Sequence, residues 1–232
     1  LLTDTRRNDL EIILNACELR SGSAFRFGSE KSSCWRYGTL ADNNLPISLA
    51  VATSAAYPII LPSIDRTFEF IDRAGEKKER RVILTDGGIF ENLGASCLEP
   101  GRSSEFSDQT FDLDYVLSCD AGPGLYGDEV RPFYWPARMT RSFEAVYRKA
   151  NDAVRARLFS HVETGKLKGF ILSYLGQMDS ALPYQPSDLV RREDVFKYPT
   201  DFSPMSAEDI VRISTRGEQL TRILITRYCP EL

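Results

Sequence analysis

One histidine, His161, is all the imidazole this chain has. Histidine is the commonest neutral metal ligand and the usual proton relay in serine hydrolases. Its scarcity argues against a zinc centre and makes any Ser-His-Asp triad depend on that one side chain. Cysteine supplies no substitute: the five cysteines, Cys17, Cys34, Cys97, Cys119 and Cys229, stand far apart and none forms a C-x-x-C pair. An odd, scattered set fits reduced thiols in a cytoplasmic protein better than a disulfide framework. An acidic D-x-D-x-D-G loop is absent too, so calcium is not implied, and neither a metal nor a cofactor is expected. Nor is there an uninterrupted apolar run of membrane-spanning length; residues 45–64 are long enough, but Pro46, Pro58 and Pro62 break them. Positive charge is also short. A formal net charge of -4 and a pI near 5.3 leave no basic footprint, so nucleic acid is not an expected partner.

What remains is the make-up of a soluble globular protein: 232 residues, 42% hydrophobic, with a mean hydropathy of -0.28. Without repeats, heptads or low-complexity tracts, one compact domain over residues 1–232 is the simplest organisation. Residues 10–19 and 24–27 read as a hairpin turning at Ser21-Gly22, and residues 30–44 as a polar and aromatic loop. Pro46 opens a helix through the small-residue run at 50–56, where Ser54 is expected to bond back to its own helix. Residues 68–71 and 80–85 flank a charged hairpin at 73–79. Residues 90–98 suggest a helix start and 111–118 a strand. Residues 138–162 form an amphipathic helix with Met139, Phe143, Val146, Ala150, Val154 and Leu158 as its apolar stripe. Residues 169–175 read as another strand and 183–204 as a long loop. Ser206 with Asp209 then caps a last helix that buries Ile210, Ile213, Leu220 and Leu224.

The stretch with chemical content is Val82 to Asp86. A buried strand stops there at Asp86-Gly87-Gly88 and delivers a carboxylate onto a tight turn. Glycine tolerates positive φ and leaves room for close approach, so the acid can face a cleft. Asp-Gly by itself is also an ordinary turn signal. A second carboxylate, Asp120, closes another apolar strand before Ala121-Gly122 and is the competing candidate, since sites in open α/β sheets gather at the carboxyl ends of strands. Arg131, Arg138, Arg141, Arg148, Lys149, Arg155 and Arg157 cluster in one segment. They read either as a contact for lipid headgroups or as a solvated helix face balanced by Glu144 and Asp152.

In order along the chain come Ile13-Leu14-Asn15-Ala16-Cys17-Glu18-Leu19 with Ser21-Gly22 and Phe25-Arg26-Phe27, then Ala50-Val51-Ala52-Thr53-Ser54-Ala55-Ala56-Tyr57-Pro58, Pro62, the strand, Asp86-Gly87-Gly88 and Asn92-Leu93-Gly94. Together these resemble the C-terminal half of the patatin-like phospholipase domain. The resemblance implies an α/β fold, three-layer α/β/α with a central mostly parallel sheet. It implies a serine-aspartate dyad acting on phospholipid or other acyl-ester lipids, with Asp86 as the base and Gly87 and Gly88 shaping its turn. Asp120 falls on the family's later sheet strand, and Trp35 or Tyr37 would flank the mouth of the cleft. Peripheral contact with a membrane surface follows from the substrate class.

The family's nucleophile sits in a G-x-S-x-G elbow. The one glycine pair at that spacing here, Gly165 and Gly169, has Leu167 at its centre. Two readings stay open. The serine belongs to an N-terminal portion outside these residues, as the start at Leu1 without a methionine suggests, or the chain is a catalytically inactive scaffold or lipid-binding subunit. An esterase using His161 is a further rival.

Overall fold

Short connections decide the topology of the first half. A computed structural model describes residues 1–7, 9–58, 60–105, 107–122, 133–199 and 203–232. It divides into two compact units, Leu1–Asp112 with Ser142–Arg155, and Leu113–Arg141 with Ala156–Leu232. The units interleave along the chain, so no linker marks a boundary.

In the first unit, β1 (Ile13–Glu18) and β2 (Ser23–Gly28) form a hairpin, followed by β3 (Ser33–Cys34), β4 (Gly38–Leu40), helix α1 (Ile47–Ser54), β5 (Ile64–Ile71) and β6 (Lys77–Asp86). Neighbours pair antiparallel throughout. β6 then returns to β1 with Ala16 opposite Asp86 and Glu18 opposite Leu84, which closes the barrel. Gly38 is required where β4 meets β5: its φ is 103°, and a β-carbon there would overlap the carbonyl of Ile71. Phe25, Phe27, Phe70, Val82 and Leu84 are wholly buried inside with Ala16, Leu40 and Ala50. Each large side chain so buried contributes about 1.5–3 kcal/mol.

A charged group, Glu18, is wholly buried with them. Glu18 accepts bonds from the backbone N–H groups of Arg20 (3.2 Å), Ser21 (2.8 Å) and Ile83 (3.2 Å), from the Ser21 hydroxyl (2.5 Å) and from the Tyr37 hydroxyl (3.2 Å). Burial pushes its pKa up, but the bonds from Ser21, Ile83 and Arg20 outweigh that and leave it below the ordinary value. Glu18 thus ties the β1–β2 turn to β6.

The second unit holds β7 (Tyr115–Asp120) and β8 (Gly169–Tyr174), paired in parallel. Helix α2 (Trp135–Glu163) lies between them in sequence, and α3 (Ala207–Tyr228) follows. Ser206 caps α3 by accepting from the Asp209 N–H at 3.1 Å. The organising residue is Arg216, wholly buried on α3. It donates to the carbonyls of Leu175 (3.1 Å), Gln177 (2.6 Å) and Val190 (2.6 Å) and pairs with Asp179 at 2.8 Å. Gln219, one turn on, accepts from Val190 N–H and donates to Asp188 C=O, both at 2.9 Å. Loop carbonyls that would otherwise be buried without donors are satisfied from the helix.

The expected three-layer α/β/α fold with a mostly parallel sheet is overturned: the strands form a closed antiparallel barrel and a separate two-stranded parallel sheet. Parallel neighbours need a crossover of a dozen or more residues, and β7 and β8 are joined by one. The turns at 19–22 and 72–76 are too short for anything but hairpins. Two further expectations change. Residues 30–44 contain β3 and β4. Residues 90–98 form no α-helix; the region has single 3-10 turns at Gly87–Ile89 and Ser96–Leu98, because the Glu91 carboxylate takes the N–H groups of Ala95 and Ser96. On α2, Val154 and Leu158 are buried as expected, whereas Met139 and Val146 are 63% and 71% exposed. Arg131 lies outside the described residues.

Candidate functional site

Asp86 is the last residue of β6, and two anchors fix its position. Its N–H donates to the Ala56 carbonyl at 3.2 Å, and the Thr85 hydroxyl donates to the same oxygen at 2.8 Å. The exit of the small-residue helix is therefore bound to the tip of the strand. Within α1 it is Thr53, not Ser54, that bonds back, to the Leu49 carbonyl at 2.6 Å.

Past the strand the carboxylate caps its own turn: Asp86 Oδ1 accepts from the Gly88 N–H at 2.7 Å. Gly87 and Gly88 keep negative φ, so their role is close approach and not a left-handed turn. A β-carbon on Gly87 would overlap the backbone carbonyl of Asn15 on β1. One on Gly88 would lie 3.0 Å from Asp86 Oδ1, 3.1 Å from Asn92 Oδ1 and 3.5 Å from the Tyr147 hydroxyl oxygen. An acid, an amide and a phenol therefore converge on the bare face of Gly88. Asn151 holds this loop by accepting from the Asn92 N–H at 3.1 Å.

Half-burial of Asp86 raises its pKa by desolvation, offset in part by the Gly88 N–H, which favours the anion. A base in this state is better matched to neutral pH than a fully solvated aspartate. No serine hydroxyl among the described residues donates to Asp86. The structure thus assembles the carboxylate, both glycines and Asn92 of the motif, and adds Tyr147 and Asn151, which no local pattern marks. Their contacts are tertiary, and Tyr147 lies off the apolar stripe that made its helix visible.

Asp120 ends β7 in the second unit and repeats the local device, with its Oδ1 accepting from the Gly122 N–H at 2.8 Å. It lines an open groove of about 650 Å³ whose walls are mostly apolar, among them Leu175, Ile213, Leu220 and Ile225. His161 lies in the last turn of α2, where its carbonyl accepts from Lys166 N–H at 2.8 Å. Among the described residues its imidazole enters no ion pair, and no group of three His, Cys, Asp or Glu residues is placed to hold a metal ion. No described helix is long and apolar enough to cross a membrane.

Comparison with protein families, with characterised proteins and with solved structures gave no match for this chain.

Proposed function

We propose that this chain carries the general-base half of a serine-dependent lipid acyl hydrolase of patatin-like type, with Asp86 as the base. The reading rests on Asp86 itself: a half-buried carboxylate with a raised pKa, fixed by one backbone bond on Oδ1, at the end of a rigid strand. The order of the small-residue helix, the strand, Asp86-Gly87-Gly88 and Asn92 supports it.

In this reading a serine outside these residues attacks the acyl carbonyl while its proton passes to Asp86. The acyl–oxygen bond to the leaving alcohol breaks, and that alcohol takes the proton from Asp86. Water, deprotonated by the same carboxylate, then releases the fatty acid and restores the serine. Substrate would be met at a lipid surface inside the cell. Phe133, Tyr134 and Trp135, 82%, 69% and 74% exposed beside Arg138, are the residue types that settle at such an interface.

The test is turnover of a generic acyl ester by the full-length protein. Asp86→Asn is expected to lower kcat by roughly 10²- to 10⁴-fold with the fold retained, and His161→Gln to leave it near normal. Full activity in Asp86→Asn would overturn the assignment. Leu167 at the centre of the Gly165–Gly169 pair, and Asp86 accepting from the Gly88 N–H and from no serine among the described residues, favour one other reading, a catalytically silent lipid-binding subunit. It predicts lipid binding with no turnover by the intact protein.

A further inference from the structure

The opposite end of the barrel gathers cations. Along β6 alternate residues share a face. The inward row runs Leu84, Val82, Arg80, Lys78, so the wholly buried aliphatics give way to two cations at the mouth. Arg80 lies opposite Phe68 and Lys78 opposite Phe70, both rings belonging to the core. The turns β1–β2 and β3–β4 open at this same end and add Arg20 and Arg36. With Arg81 and Asp72 these side chains line a cavity of about 450 Å³ floored in part by Tyr37.

The charge in this cavity is not internally balanced. Lys78 pairs with Asp72 at 2.7 Å and with Glu76 at 2.6 Å, and Arg81 pairs with Asp65 at 2.5 Å. Arg20 donates to a neutral acceptor, the Arg81 carbonyl, at 2.6 Å. Arg36 and Arg80 have no ion pair among the described residues. Arg36 and Arg80, with Arg20 beside them, thus face one concave space without an ion pair among the described residues. Planar guanidinium forks bind phosphate oxygens two at a time, and a concave wall focuses their field on the space between them. Tyr37 reaches down to Glu18, so the floor is fixed before any ligand arrives.

We propose that this mouth binds a phosphate monoester, free or as a lipid headgroup. It is separate from the Asp86 turn, which stands six residues further along β6, roughly 20 Å at about 3.3 Å per residue. The proposal does not depend on the hydrolase reading.

Binding of glycerol 3-phosphate by the full chain is measured by titration calorimetry. Co-sedimentation is measured with phosphatidylcholine vesicles with and without phosphatidic acid. Both are repeated on Arg36→Gln/Arg80→Gln and on Arg66→Gln, which removes a cation of the same barrel outside the cavity. The double variant is expected to bind roughly tenfold or more weakly, and Arg66→Gln to bind like the parent. Both exchanged arginines are exposed, so folding is checked by circular dichroism and is expected to be unchanged. Binding in the soluble arm alone assigns a free phosphate ester, and binding to phosphatidic acid vesicles alone assigns a headgroup. The proposal is overturned if neither probe binds, if the double variant binds like the parent, or if Arg66→Gln weakens binding as much.

Discussion

At one end of β6 stands Asp86; at the other stand Arg80 and Lys78 with the arginines of two neighbouring turns. The same strand serves both ends, yet the physical situations are opposite. Asp86 is partly withdrawn from water and held by a single N–H, so its charged form is penalised. The cations at the other mouth keep their heads in water over apolar stems, so their charge is maintained at little cost. Beneath them, Glu18 is a buried carboxylate with a full set of donors. Two carboxylates on paired strands therefore do different work. One is satisfied and holds the fold; the other has a single N–H donor, which is the state the proposed base requires.

The largest effect that could break this contrast is expected at Glu18. Glu18→Ala leaves the N–H groups of Arg20, Ser21 and Ile83 and the Tyr37 hydroxyl without their acceptor. Each buried unsatisfied group costs about 1–3 kcal/mol, and water entering the space offsets part of the sum. A loss of roughly 3–5 kcal/mol in denaturant unfolding is expected. A loss below about 1 kcal/mol would mean that Glu18 is no more structural than Asp86.

Next in size is Gly87→Ala. The Asn15 carbonyl that its β-carbon would meet belongs to β1, which is hydrogen-bonded on both sides and cannot give way cheaply. A destabilisation of about 1–3 kcal/mol is expected, together with lower ester turnover if Asp86 is displaced. Gly75→Ala provides the comparison at the other end: nothing lies within 4 Å of its added carbon, so its cost is the conformational one of φ 81° and is expected to be smaller, about 1 kcal/mol.

How far this was legible in the sequence follows from the range of each interaction. Strands β1, β2, β6, β7 and β8 and helices α1, α2 and α3 show their periodicity or caps within a dozen residues, and each was expected near its place. The two-residue β3 has no period to show. Topology follows a different rule. The turns at 19–22 and 72–76 imply antiparallel pairing, which runs against the mostly parallel sheet that the resemblance implies. The Asp86 turn was visible because Asp-Gly-Gly is contiguous. The use of Gly87 was not, because the clash that demands it comes from Asn15, far away in sequence. The basic mouth is not legible for the same reason: Arg20, Arg36 and Arg80 sit on separate turns and strands, whereas the cluster at 131–157 is close in sequence.

The smallest expected effect is also the most discriminating, because it has opposite signs at the two carboxylates. Glu18 has a folded pKa below its ordinary value of 4.5. Its contribution to stability is present above that value and is lost as pH falls through the folded pKa. Asp86 has a folded pKa above its ordinary value of 3.8. Between those two values the native state holds more protons than the unfolded chain, so stability declines as pH rises through the window and stays lower above it. Asp86→Asn keeps an oxygen for the Gly88 N–H and removes the ionisation. At neutral pH it is expected to raise Tm slightly, and this gain should vanish below pH 3.8. Glu18→Gln should show the reverse, a deficit at neutral pH that shrinks as the solution is acidified below 4.5. Tm measured against pH for the parent and both variants tests the pair directly. Parallel shifts of the same sign would show that both carboxylates are held alike, and Asp86 would then lose its claim to be the base kept in reserve.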